Sequence, residues 1–169
     1  ECVRDQNGNH VIQKCIEEVP TADINFIVET FKNKVYHYST HPYGCRVIQR
    51  LLEHCNEDQI RPLLVEILRS AIQLSKDQYG NYVVQHVLQH GTNDGKLNII
   101  HEVASNLLAM SKHKFSSNVV EKAFTFATDD EREILLAVLM GLKDPNKKGG
   151  EQNNNINDDE DNKEDGNNG

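Results

Sequence analysis

The sequence predicts an all-α solenoid of four stacked units, and three observations predict it. First, one motif recurs without a gap: Asp5-Gln6-Asn7-Gly8-Asn9-His10-Val11-Ile12-Gln13, His41-Pro42-Tyr43-Gly44-Cys45-Arg46-Val47-Ile48-Gln49, Asp77-Gln78-Tyr79-Gly80-Asn81-Tyr82-Val83-Val84-Gln85 and His113-Lys114-Phe115-Ser116-Ser117-Asn118-Val119-Val120-Glu121. The starts at 5, 41, 77 and 113 differ by 36 residues each time, a period that belongs to stacked supersecondary units and not to an ordinary globular domain. Second, the apolar residues come as adjacent pairs separated by two, as in Val83-Val84 then Val87-Leu88, which is one face of a helix and excludes a strand. Third, the segment leading into each motif supplies a matched column of Cys2, Tyr38, Leu74 and Met110, expected in the core between units.

Each unit reads as two main helices with a shorter helical stretch or turn leading in. In the third unit the motif helix is expected from about Asn81 to His90, and a second helix from about Lys96 to Leu108, with Leu97, Ile99, Ile100, Val103 and Ala104 at helical spacing. The corresponding second helices carry Ile24, Phe26, Ile27, Val28 and Phe31, then Ile60, Leu63, Leu64, Ile67 and Leu68, then Ile134, Leu135, Val138 and Leu139. Asp129, Asp130 and Glu131 crowd the start of the last of these, where carboxylates favour the positive end of the helix dipole. The units are expected at about 1–33, 34–69, 70–105 and 106–141, within a repeat region of 1–144. From Lys143 the pattern stops, and 145–169 holds almost nothing but Asn, Asp, Glu, Gly, Lys and Gln. Its one apolar residue, Ile156, cannot offset the entropy of ordering such a stretch, so 145–169 is expected to be a disordered tail or a truncated loop insertion.

Composition narrows the function. The net charge of -8 divides equally: residues 1–144 hold 15 Lys and Arg against 19 Asp and Glu, and 145–169 hold 3 against 7. The repeat region is thus only mildly acidic, and the placement of its basic residues matters more than the total. No apolar run reaches membrane-spanning length, and the start at Glu1-Cys2-Val3-Arg4 reads as the beginning of an excised piece. Cys2, Cys15 and Cys45 fall at three different places of the repeat, and no two of the four cysteines show CxxC spacing, which points to reduced thiols and an intracellular setting. His86 and His90 stand one helical turn apart, but Val87-Leu88-Gln89 between them lacks the glutamate of a zinc-protease motif and no third ligand is evident, so no metal or other cofactor is expected. No nucleophile–base pair or phosphate loop suggests an enzyme.

The variable face carries the functional signal. With the first residue of each motif helix counted as place one, places three, four, seven and eight are apolar. Places one, two and five lie on the opposite side, with one and five a turn apart. The trios are Asn9, His10 and Gln13; Cys45, Arg46 and Gln49; Asn81, Tyr82 and Gln85; and Ser117, Asn118 and Glu121. Places one and five carry polar edges suited to the rim of a flat polar ring. Place two carries a planar group that can lie on a π-face, and base–aromatic stacking is worth about 1–3 kcal/mol per base. Place six holds Lys14, Arg50, His86 and Lys122, and Lys76 and Lys112 form a partial second column, rows that could follow a phosphate backbone.

These residues resemble the core motif of Pumilio (PUF) repeats, above all Asp77-Gln78-Tyr79-Gly80 followed by Asn81-Tyr82-Val83-Val84-Gln85. The resemblance covers essentially residues 1–141, and the order of the four trios resembles the fourth to seventh repeats of a Pumilio homology domain. It implies a right-handed α-α superhelical solenoid that reads single-stranded RNA one base per repeat. It further implies a monomeric, cytoplasmic regulator of messenger RNA translation or stability, with protein co-repressors such as the deadenylation machinery as partners. Chemically, the Glu121 carboxylate suits the two adjacent donors of guanine, with Ser117 adding a bond. Asn81 with Gln85, and Asn9 with Gln13, suit uracil, and Gln49 beside Cys45 suits adenine. With RNA running antiparallel, as in the family, the word is 5′-GUAU-3′ within a UGUA-type element of a 3′ untranslated region. A protein-binding scaffold of the armadillo or HEAT sort, or a PUF-like ribosome-assembly factor, remains the alternative reading. Stacking should be strongest at Tyr82 and weakest at Asn118, and Ser116 in place of the motif glycine should leave the fourth trio intact.

Overall fold

Alternation of a lead-in turn, a motif helix and an outer helix is what the apolar spacing demands, and the computed structural model, which describes residues 1–142, has that order. After a short 3-10 turn at Cys2–Arg4, the elements are α1 (Gly8–Glu18), α2 (Asn25–Phe31), α3 (Val35–Ser39), α4 (Gly44–His54), α5 (Glu57–Arg69), α6 (Ala71–Lys76), α7 (Gly80–His90), α8 (Asn93–Ser111), α9 (Ser116–Phe126) and α10 (Asp129–Leu139). Among the described residues there is no strand, and no helix is long and apolar enough to cross a membrane. The segment 145–169, expected to be disordered, lies outside the described residues.

The helices form two layers. The motif helices α1, α4, α7 and α9 each pack on the next, and α2, α5, α8 and α10 do the same behind them. The short helices α3 and α6 wedge between layers, α3 touching α4 and α5, and α6 touching α7 and α8. Val47, Ile48, Leu51 and Leu52 of α4 and Val83, Val84, Val87 and Leu88 of α7 are fully buried between units. Each such side chain contributes about 1.5–3 kcal/mol by leaving water, so stability comes from the interfaces between units rather than from any one of them.

Three local features depart from the sequence reading. The outer helix of the third unit does not stop at Leu108: α8 runs unbroken to Ser111 and absorbs the lead-in of the fourth unit, because no glycine, proline or left-handed residue interrupts it. Between the first two units Asn33 does interrupt, with φ of 61°, a conformation Asn tolerates better than most residues. Its N–H and that of Val35 donate to the Glu66 carboxylate of α5 at 2.6 and 3.2 Å, tying the turn to the next unit. The expected core column is only partly buried: Leu74 and Met110 are inaccessible, Tyr38 is half-buried and Cys2 is exposed. Val11 (63% exposed) likewise faces out where Val47, Val83 and Val119 are covered, since the first unit has a described neighbour on one side only; Phe26 (70% exposed) stands at a place that is also exposed at Asn98 and Ile134.

Helix starts are capped by repeated chemistry. Asn56 with Gln59 and Thr128 with Glu131 form capping boxes on α5 and α10, and the Thr92 hydroxyl accepts from Gly95 N–H on α8. Motif helices use the first motif residue instead. The Asp5 carboxylate accepts from the N–H groups of Asn7 and Gly8 at 2.9 and 2.7 Å, and the Asp77 carboxylate accepts from Tyr79 and Gly80 at 2.8 Å each. In the second and fourth units an imidazole substitutes: Nδ1 of His41 accepts from Tyr43 and Gly44 at 3.2 Å each, and Nδ1 of His113 from Phe115 and Ser116 at 3.3 and 3.4 Å. Only an unprotonated Nδ1 can accept.

Burial, with the charges of Arg4 and His37 behind it, holds the His41 imidazole below its ordinary value near 6.5. The unfolded chain therefore takes up this proton first, so the cap's contribution is complete above the unfolded value and fades as pH falls through the folded one. The expected outcome is that His41→Asp, which copies Asp5 and Asp77, reduces the loss of thermal stability between about pH 7.5 and about pH 5. Melting curves of both proteins at the two pH values check it; equal losses would remove His41 from the account.

Candidate nucleic-acid interface

One side of the motif-helix layer carries the four trios, with places two and five of α1, α4, α7 and α9 reaching solvent opposite the apolar pairs. The three places are not equivalent. Place two is exposed in every unit, at His10, Arg46, Tyr82 (52% exposed) and Asn118. Place five is half-buried at Gln13, Gln49 and Gln85 and exposed at Glu121. Place one is buried at Asn9, Cys45 and Asn81 and half-buried at Ser117.

At place one the side chain is engaged by the start of its own helix. Nδ2 of Asn81 donates to the carbonyls of Asp77 and Gln78 at 2.8 and 3.0 Å, and its Oδ1 accepts from Gln85 Nε2 at 2.9 Å. Asn9 repeats this with Asp5, Gln6 and Gln13 at 2.9, 2.8 and 2.9 Å. Only the amide nitrogen can face two carbonyl oxygens, so the orientation of each Asn is set, and through it that of the neighbouring Gln. Gln13 and Gln85 turn Nε2 inward and present Oε1 and one remaining N–H outward. Cys45 cannot do this for Gln49: its thiol lies 3.5 Å from the Pro42 carbonyl, and burial pushes the thiol's pKa up so that it stays protonated. Ser117 Oγ similarly turns to the Lys114 carbonyl at 3.5 Å.

Between the second and third units the surface opens a cleft of about 490 Å³ lined by Pro42, Tyr43, Cys45, Arg46, Gln49, Tyr79 and Tyr82. Arg46 and Gln49 of α4 and Tyr82 of α7 all line it. A cleft lined by planar and polar groups can take a flat heteroaromatic ring.

The basic row is more nearly neutral than the sequence implied. Lys14 pairs with Glu17 and Glu18 at 3.5 and 2.8 Å, Arg50 with Glu53 at 2.5 Å, and His86 contacts the same Glu53. Lys122 lies over the Phe126 ring at 5.4 Å from its centroid. These partners sit three or four residues along the same helix or on the neighbouring one, and reading single columns overlooked them. Lys76 and Lys112, the partial second column, stand exposed. In the fourth unit Ser116 replaces the motif glycine, and its hydroxyl donates to the Met110 carbonyl at 2.9 Å; α9 still places Ser117, Asn118 and Glu121 on the common surface.

The fold and this surface define a class: a helical-repeat solenoid presenting one variable trio per unit along a continuous face. Comparison with known proteins narrows it. A family model for the Pumilio-family RNA binding repeat matches residues 1–29, 34–68, 70–104 and 106–140, and the chain belongs to that family. Among solved structures, that of PUF-8 in complex with PBE-RNA is 42% identical, with a TM-score of 0.79 over 81% of this chain and 41% of the other. The Puf3 RNA binding domain bound to Cox17 RNA 3′ UTR recognition sequence site A is 46% identical, with a TM-score of 0.76 over 80% of this chain and 41% of the other. The Pumilio homology domain family member 4 of Saccharomyces cerevisiae is 38% identical over 45 residues, 27% of this chain and 5% of that protein. The chain therefore spans about two fifths of these solved domains.

The two roles within a trio separate on mutation. Asn81→Ala removes two hydrogen bonds and takes this donor from the Gln78 carbonyl, while the Asp77 carbonyl keeps the backbone N–H of residue 81 at 3.2 Å; it should cost about 1–3 kcal/mol of stability, whereas Gln85→Ala on the accessible side should cost no more than about 0.5 kcal/mol. Urea denaturation of the two variants checks the contrast, and equal costs would contradict the anchoring role.

Proposed function

We propose that the chain is a four-unit segment of a sequence-specific, single-stranded RNA-binding module that reads 5′-GUAU-3′. The observation that carries this reading is the alternation, along one face, of a polar edge at place five with an exposed planar group at place two, with Arg46, Gln49 and Tyr82 lining one cleft between two units. Each unit takes one base. Glu121, exposed and acceptor-only, meets the two donors of guanine, with Ser117 beside it. Gln85 and Gln13, their amides oriented by Asn81 and Asn9, offer an acceptor and a donor in a set order to uracil. Gln49, next to a thiol that orients nothing, turns its amide to suit adenine. His10, Arg46, Tyr82 and Asn118 lie against the base faces.

By family resemblance the RNA runs antiparallel, so the fourth to first units read 5′ to 3′ within a UGUA-type element of a messenger 3′ untranslated region. The same resemblance supports a cytoplasmic, monomeric regulator of translation or message stability that is not itself an enzyme and acts through recruited co-repressors such as the deadenylation machinery. Lys14, Arg50, His86 and Lys122 serve the RNA backbone weakly, since most already have partners. That neutralised row also favours a second reading, a protein-binding scaffold.

Replacing Ser117 with Asn and Glu121 with Gln should move the preferred RNA from GUAU to UUAU, with a change in relative affinity of about tenfold or more, as expected for about 1–3 kcal/mol per base contact. Competition binding with the two RNAs measures it. Unchanged preference would remove the base assignment, and absence of RNA binding by either protein at low salt would favour the scaffold.

A further inference from the structure

Outside the variable trios one cluster of side chains brings three potential metal donors together. His86 and His90 lie one turn apart on α7, and the packing of α4 brings Glu53 of the preceding unit up to both. The sequence set the histidine pair aside for want of a third ligand; the third ligand comes from 33 residues away. His86 Nε2 contacts Glu53 Oε1, His90 Nε2 lies 4.0 Å from the same oxygen, and the two rings sit 5.0 Å apart between centroids with 32° between their planes. One nitrogen or oxygen from each of the three residues falls within 4.8 Å of the others. The second carboxylate oxygen of Glu53 is held by Arg50 Nη1 at 2.5 Å, which aims the first oxygen at the histidines.

We propose that Glu53, His86 and His90 form a binding site for a divalent transition-metal cation of the zinc class. Two imidazoles one turn apart on a helix, with a carboxylate from a neighbouring helix, are the His₂Glu donor set that zinc accepts in tetrahedral geometry, and three protein ligands leave one position open. Calcium and magnesium prefer oxygen-only sets and do not fit. Each histidine ligates through Nε2 and keeps its proton on Nδ1. A tetrahedral metal about 2.0–2.2 Å from each donor holds the donors about 3.4 Å apart, so His90 must draw in while His86 and Glu53, which touch without metal, must part to admit the ion, movements within reach of side-chain rotation. Burial disfavours the charged imidazole at His86, though Glu53 opposes this, and the neutral form is the one a metal needs. The residues between the histidines, Val87, Leu88 and Gln89, include no general base, and a bound ion would join the second unit to the third, with its fourth position left to water.

The test needs no RNA and is independent of the RNA reading. Cobalt(II), followed by its visible absorption, and zinc, by calorimetry, are titrated into the chain, into His90→Ala and Glu53→Gln, and into Cys2→Ser as a control for the exposed thiol. His90 is on the surface, so its variant should melt like the parent without metal. The expected result is one equivalent bound by the parent and by Cys2→Ser, affinity at least about tenfold weaker in the two ligand variants, and a zinc-dependent rise in melting temperature only in the parent and Cys2→Ser. Equal zinc affinity in the parent and in both ligand variants, or no cobalt uptake by the parent, would overturn the site.

Discussion

The separation between each motif helix and the segment that leads into it is the constraint on which the rest of the structure depends. A side-chain carbon at Gly44 would sit 2.6 Å from the Tyr38 carbonyl, and one at Gly80 2.8 Å from that of Leu74. Contacts that close are not sustained, so these two helices start against their lead-ins only with glycine there; Ser116, which does carry a side-chain carbon, meets its lead-in through a hydroxyl that donates to the Met110 carbonyl. Close approach lets the apolar pairs of α4 and α7 reach the core from both sides. It also sets the repeated rotation that leaves places two and five facing out in every unit.

Upon that scaffold each trio divides its labour. Place one is the more buried and place five the more accessible, and the two are joined by a single hydrogen bond where place one is Asn. An amide can present donor and acceptor in either order, so an Asn that holds one end of a Gln converts an ambiguous edge into a directional one. Where place one is Cys or Ser, that instruction is absent. On the proposed reading, the difference between units that take different bases is as much a matter of what holds the place-five side chain as of what that side chain is.

Much of this was legible in the sequence because periodicity records burial. The exact spacing of 36 residues, the apolar pairs and the acidic start of α10 all have a local cause and were readable locally. What escaped has a non-local cause. Asn81 looks like any polar residue opposite an apolar face, yet it is buried because Asp77 and Gln78 turn their carbonyls toward it. The basic row looked free because its carboxylate partners stand in other columns. Glu53 carries no sequence mark of its nearness to His86, which only the packing of α4 on α7 creates. Phe26 fits the helical spacing and is nonetheless exposed, since spacing cannot say whether a neighbour covers the face it predicts.

The central claim is that four trios specify four successive bases, and selection from a randomised RNA pool by this chain at low ionic strength tests it most directly. The account predicts enrichment of GUAU, with guanine and both uracils held more strictly than the adenine opposite Cys45 and Gln49. Enrichment of a different word, or recovery of RNA without any preference at these four positions, would contradict it.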